Sequence, residues 1–287
     1  MGKYKFANKL MFSIVMRDPV ACKKFIEMIF PERKVKEIIF PEKSCDDEKT
    51  STMHEIAIEV EKTIIIGINP KSVRLDVLFE DDDTVYDIEM QIEPEYEIAK
   101  RSRYYHMAIT RNSLRKGQLY GELKRGYVIF VCCFDPFKRN VPIYQFEMYD
   151  KKLQLQLGDG SGTIILNTKC PKKEIPIEFM SFYNFVNTGE VDENDEFVRY
   201  LAERVEEANE DEEVDRIMTL DEEMKVQWEQ AIERGKELGL AQGKELGLAQ
   251  GKELKQREIA KNLKAAGVSA DIITESTGLT TEEIESL

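Results

Sequence analysis

Eight residues from Tyr127 to Phe134 (YVIFVCCF) carry no charge and almost no polarity. A run so short and so apolar, rich in aromatic and β-branched residues, suits a strand buried on both faces. The flanking sequence supplies elements to cover it. Leu10, Ile14, Phe25, Ile26 and Ile29 predict two helices within Phe6–Phe30, broken at Asp18-Pro19, with Asp18 as N-cap and Pro19 in the first turn of the second. After a polar loop, Glu42–Ser51, three strand-like runs follow: Ile56–Ile68, Ser72–Phe79 and Thr84–Ile92, the last two joined by the acidic tip Glu80–Asp83 as a hairpin. Glu95–Leu114 predicts a helix closed near Gly117, and Ile143–Tyr149 and Gly162–Leu166 predict further short strands. The result is an α/β core with a mixed sheet.

Strand signals stop near Pro176. Glu178–Val186 and Asp195–Ala208 read as amphipathic helices. The octet GKELGLAQ occurs at Gly235–Gln242 and again at Gly243–Gln250, with glycine every fourth residue. Its Lys, Glu, Leu, Ala and Gln favour helix, while each glycine weakens it by about 1 kcal/mol. Such a stripe can admit a second helix closely, which makes a homo-oligomer through this helix one expectation; a solvated spacer between modules is the plainer one. A small helical tail, Arg257–Leu287, is closed by Gly267 in its first helix and opened by a Thr280/Glu283 capping box in its last. The expected division is therefore 1–175 core, 176–234 acidic helical segment, 235–256 repeat helix and 257–287 tail.

The chemistry lies in Val73–Val77 (VRLDV) and Val85–Gln91 (VYDIEMQ). A period of two puts Val85, Asp87, Glu89 and Gln91 on one face of the second strand and Tyr86, Ile88, Met90 and Ile92 on the other. If the two runs pair as a hairpin, Asp76 lies beside the polar row. Two carboxylates on rigid strands make an oxygen-ligand site suited to Mg²⁺, an ion fit for polarising a phosphodiester. A polar row on a strand is more often the solvent face of a half-buried sheet, and the pattern alone leaves both readings open.

Charge does not decide against a nucleic-acid partner. The net charge is −14, and Glu190–Glu229 holds 17 acids against 4 bases, a balance of −13, so the remainder is near neutral. Five scattered cysteines with no CxxC pair predict reduced thiols in a cytoplasmic protein rather than disulfides or a zinc site. No apolar run approaches the roughly 18 residues of a membrane span, and Met1–Phe6 lacks the apolar run and cleavage site of a secretory signal. His54 and His106, the two histidines, are expected in packing or surface roles, and Cys132-Cys133 in the core.

An aspartate, a hairpin and then Glu-x-Lys is the signature of PD-(D/E)XK nucleases, in which glutamine is a known stand-in for the lysine. The longer strings VRLDVLF, YDIEMQ, KRSRYYHMAI and LRKGQLYGELKRGYVIFVCCFDPF resemble the PD-(D/E)XK family transposases, also called Rpn recombination-promoting nucleases, over roughly Lys5–Leu166. The resemblance implies a restriction-endonuclease-like mixed sheet flanked by helices, followed here by an all-helical C-terminal extension. It further implies a bacterial Mg²⁺-dependent DNA endonuclease linked to recombination or mobile elements. Carried over residue by residue, Asp76 and Glu89 become metal ligands and Gln91 the residue that orients the attacking water. Arg101 and Tyr105, one helical turn apart, with Tyr104 adjacent, become the groups nearest the phosphate. Arg103, about 200° round the helix from Arg101, does not share that cleft. Arg111, Arg115, Lys116, Lys124 and Arg125 are candidates for a rim that positions a duplex without reading its sequence. Two departures stand out. Gln91 lacks a lysine's charge, and Asn8 stands where the family often has an acid early in the first helix, for which Glu55 or Glu59 could compensate. A nuclease-like module that binds DNA or oligomerises without cutting is the alternative, and no feature separates DNA from RNA.

Overall fold

A computed structural model describes residues 2–40, 76–94, 97–114 and 117–287. The predicted strand Ile56–Ile68, the loop Glu42–Ser51, and Glu55, Glu59, Arg115 and Lys116 lie outside the described residues. The chain divides into two compact units, Met1–Asp221 and Glu222–Leu287.

In the first unit, α1 (Lys9–Val15) and α2 (Pro19–Ile29) form as their caps dictate. Asp18 accepts from the backbone N–H groups of Val20 and Ala21 at 2.8 and 3.0 Å, with Pro19 in the first turn, where its missing N–H costs nothing. The elements β1 (Val77–Glu80), β2 (Thr84–Gln91), α3 (Ile98–Ser113), β3 (Arg125–Cys132), β4 (Ile143–Phe146), β5 (Ser161–Asn167), α4 (Ile177–Thr188) and α5 (Glu196–Glu210) follow. The sheet runs β1-β2-β3-β5-β4, with β2, β3 and β5 parallel and the two outer strands antiparallel to their neighbours. This is the mixed α/β sheet of a restriction-endonuclease-like fold, and the run that opened the sequence argument is its middle strand. From Val128 to Cys132 every residue is 0% exposed.

One sheet face carries Phe79, Tyr86 and Tyr127 as a stacked aromatic row, reached by Phe30 at the end of α2. Phe6, Phe12, Phe25, Phe182, Phe185 and Phe197 pack together where α1, α2, α4 and α5 meet. The other face is covered by α3, whose Ile98, Tyr105 and Ile109 pack on Val85, Val128, Phe130, Cys132 and Ile165. β4 ends at Phe146 rather than at the expected Tyr149. Its last ladder pair is Phe146 with Thr163; beyond it the chain pairs back on itself, through a Tyr149–Gln156 bridge and a 2.8 Å bond from the Leu157 N–H to the Met148 carbonyl, instead of extending the ladder with β5.

The helix α6 (Glu212–Ala265) contains the whole GKELGLAQ repeat without interruption. In the second unit, Ala260 packs with Ile273 of α7 (Ala270–Thr277), with Leu279 and with Ile284 of α8 (Thr281–Glu285), and the Thr280/Glu283 capping box forms as predicted. A Cβ added at Gly235, Gly239, Gly243, Gly247 or Gly251 meets nothing within 4 Å, and Leu238, Leu240, Leu246 and Leu248 are exposed. Among the described residues no helix is long and apolar enough to cross a membrane.

Candidate active site

The hairpin register fixes the centre. Val77 pairs with Ile88 and Leu78 with Asp87, so Asp76, one residue before β1, falls opposite Glu89. The backbone N–H of Asp76 donates to Glu89 Oε1 at 2.9 Å, and Asp76 Oδ2 accepts from the Met90 N–H at 3.2 Å. Asp76, Glu89 and Gln91 are thus brought together on one face. The polar row is not a solvent face: Asp87 and Glu89 are 0% exposed and Gln91 4%, because α3 lies over them.

Arg101 of α3 enters this row. Its Nη1 donates to Gln91 Oε1 at 2.7 Å and its Nη2 lies 3.5 Å from Glu89 Oε2, while Nε and Nη2 reach the Tyr105 hydroxyl at 3.2 and 2.6 Å. Because guanidinium is donor-only, it fixes which end of the Gln91 amide faces it and leaves Nε2, which has no hydrogen-bond partner among the described residues, pointing elsewhere. Tyr105 packs against Phe130, and its hydroxyl holds Arg101. Tyr104 and Arg103 are exposed. His106 fills a packing role, its Nε2 3.0 Å from Thr163 Oγ1.

Of the bases read as a rim, the described ones, Arg111, Lys124 and Arg125, sit toward the far end of the strands. Arg125 pairs with Thr84 and Glu89 with Phe130, so Arg125 stands five residues, about 16 Å, along the strands from Glu89. Lys124 is engaged there by Glu80 and the Asp81 carbonyl. Ile109 reaches Gly126 at that same far end, which takes Arg111 away from the carboxylates too. The cause is direction: α3 runs back along the strands, and only its first turns lie near Gln91.

Sequence reasoning missed Lys9 and Ser13. Asn8, read as a substitution at an acidic position, is the N-cap of α1 and accepts from Leu10 and Met11 N–H. The next residue is the one that reaches the centre. Lys9 Nζ lies 3.2 Å from Asp76 Oδ1, and Ser13 Oγ, one turn later, donates to the Asp76 carbonyl at 2.7 Å. An amphipathic pattern gives no hint of this, because the contact joins residues 67 positions apart.

Burial dominates the electrostatics. It pushes the Glu89 carboxyl up to about 8, helped by the Asp76 charge and opposed by Lys9, the Asp76 N–H and Arg101. Asp87 is held well above the carboxylate range by burial, then by Glu89 and Asp76. Both Asp87 oxygens are buried without a hydrogen-bond partner among the described residues. Among the described residues no three His, Cys, Asp or Glu side chains form a ready metal cage. Buried carboxylates of like charge, with orphaned oxygen atoms beside them, nonetheless fit a divalent cation that keeps several of its waters.

This hairpin, on a mixed sheet under a basic helix, belongs to an α/β fold of the restriction-endonuclease-like class. The chain belongs to the PD-(D/E)XK nuclease family transposases, whose family model matches residues 5–235. That family places it among nucleases linked to mobile elements. No curated protein and no solved structure matches the chain.

Proposed function

We propose that this chain is a divalent-metal-dependent, most simply Mg²⁺-dependent, DNA endonuclease with a Glu-x-Gln variant of the site. The observation that supports it best is the 2.9 Å bond from the Asp76 backbone to Glu89, which holds two buried carboxylates together next to Asp87, whose oxygens have no hydrogen-bond partner among the described residues. Asp76 and Glu89 would hold the cation, which would supply Lewis-acid chemistry there, polarising the phosphodiester and easing ionisation of a water. Gln91, its carbonyl fixed by Arg101, presents its amide N–H groups to the attacking water or to a phosphate oxygen. Water forms the new P–O bond in line with the leaving oxygen, whose bond to phosphorus breaks; the proton the water gives up passes to solvent, and the leaving oxygen takes one from solvent. Arg101 acts as a positioning residue held by Tyr105, and exposed Tyr104 is placed to meet the duplex.

Supercoiled-plasmid cleavage tests this. Wild type converts plasmid to nicked or linear form with Mg²⁺ and not with EDTA, while Asp76→Ala and Glu89→Gln fall by roughly 10²-fold or more. Equal cleavage by all three refutes the assignment, and tight Mg²⁺-independent DNA binding without cleavage favours a binding module. The exposed leucines of the repeat favour a second element of the reading, self-association through α6. Deleting 235–251 lowers the solution mass to that of a monomer if this is correct and leaves it unchanged if not.

A further inference from the structure

The centre holds three buried acids, Asp76, Asp87 and Glu89, around a neutral Gln91. A phosphodiester is itself an anion, and its hydrolysis gathers more negative charge on the phosphate oxygens, so a site built this way needs cations of its own. Among the described residues, Arg101 and Lys9 bring positive charge to it. Arg101 is engaged with Gln91, Tyr105 and Glu89, and its side chain is 23% exposed. Lys9 differs: its Nζ meets Asp76 Oδ1 while the side chain stays 45% exposed, and an ammonium has three donors. Its placement is built rather than incidental. Leu10, Met11, Phe12, Ile14 and Val15 bury the rest of α1, Asn8 caps it, and Ser13, four residues on and therefore on the same face, grips the Asp76 carbonyl. Lys9 and Ser13 thus clamp Asp76 at its carboxylate and its carbonyl. The Lys9 charge is also felt by Asp87 and Glu89.

We propose that Lys9 is the cationic group that faces the scissile phosphate in this centre, supplying from α1 the positive charge that Gln91 lacks and sharing Asp76 with the divalent cation. The proposal rests on the nuclease reading above. It carries a signature that a bracing salt bridge does not. A nearby cation repels a divalent ion and competes for Asp76, so removing it strengthens metal binding while slowing turnover.

The test uses the full chain with Lys9→Met and Lys9→Arg, Mn²⁺ binding measured by electron paramagnetic resonance, and plasmid cleavage at saturating Mn²⁺. Lys9→Met is expected to bind Mn²⁺ several-fold more tightly and to cut roughly 10²-fold more slowly, with Lys9→Arg retaining most of the wild-type rate. Lys9→Gln serves the same arm if Lys9→Met fails to fold, as circular dichroism will show. Wild-type turnover in Lys9→Met overturns the proposal. So does weakened Mn²⁺ binding with Lys9→Met and Lys9→Arg equally slow, since Lys9 then only braces Asp76. Wild type that binds Mn²⁺ and cuts, beside an unaffected Lys9→Met, sinks Lys9 alone; wild type that does not cut sinks the nuclease reading, and Lys9 with it.

Discussion

Asp87→Val is expected to stabilise the metal-free protein. Asp87 is 0% exposed, neither carboxylate oxygen has a hydrogen-bond partner among the described residues, and its neighbours across the sheet are Leu78 and Val128. A buried polar group left unsatisfied costs about 1–3 kcal/mol, and a branched apolar side chain removes that cost while suiting a strand. For a unit the size of Met1–Asp221, each kcal/mol moves the melting temperature by about 2–4 °C, so the gain is about 2–12 °C. Thermal denaturation followed by circular dichroism in EDTA at pH 7 reads this directly. Asp87→Asn, which keeps polar atoms in the same place, gains less. Adding Mn²⁺ stabilises wild type by about 2.7 kcal/mol at one hundred times the dissociation constant. That closes the gap if the Asp87 carboxylate belongs to the cation site. An Asp87→Val protein melting at or below wild type in EDTA refutes the claim that this row is held together against its own electrostatics.

Gln91→Lys is not expected to improve cleavage: it removes the acceptor of Arg101 Nη1 and sets two cations side by side, costing about 1.5–3 kcal/mol of stability in chemical denaturation. Tyr105→Phe keeps the ring on Phe130 but frees Arg101, so it should lose about 0.5–1.5 kcal/mol and cut several-fold more slowly at unchanged Mn²⁺ affinity. His106 is depressed below its ordinary 6.5 by burial, so the unfolded chain binds its proton first. The stability it contributes is present above about pH 6.5 and is lost as pH falls from there toward its folded value. The difference in melting temperature between wild type and His106→Gln, measured from pH 7.5 to 5, should therefore move against wild type as pH falls.

The sequence carried the core further than the site. Tyr127–Phe134 located the middle strand, Asp18-Pro19 the break between α1 and α2, and Thr280/Glu283 the last cap, since each is a local consequence of burial, φ restriction or capping. Period two put Asp87, Glu89 and Gln91 on one face, and the hairpin put Asp76 across from them. Local pattern could not say that this face is covered, because covering it is the work of α3 from outside the hairpin. Nor could it say which bases of α3 and β3 approach the acids. That depends on the direction of α3 along the strands and on the β2–β3 register, which leaves Arg125 about 16 Å away. Lys9 was invisible for the same reason: its neighbour Asn8 is explained by capping, and the reach to Asp76 is purely tertiary.

Anomalous diffraction from crystals grown with Mn²⁺ bears most directly on the central claim. One peak within about 2.3 Å of an oxygen of both Asp76 and Glu89 is the predicted result. A fully occupied Mn²⁺ bound elsewhere, with those two carboxylates still locked together and no peak between them, contradicts it.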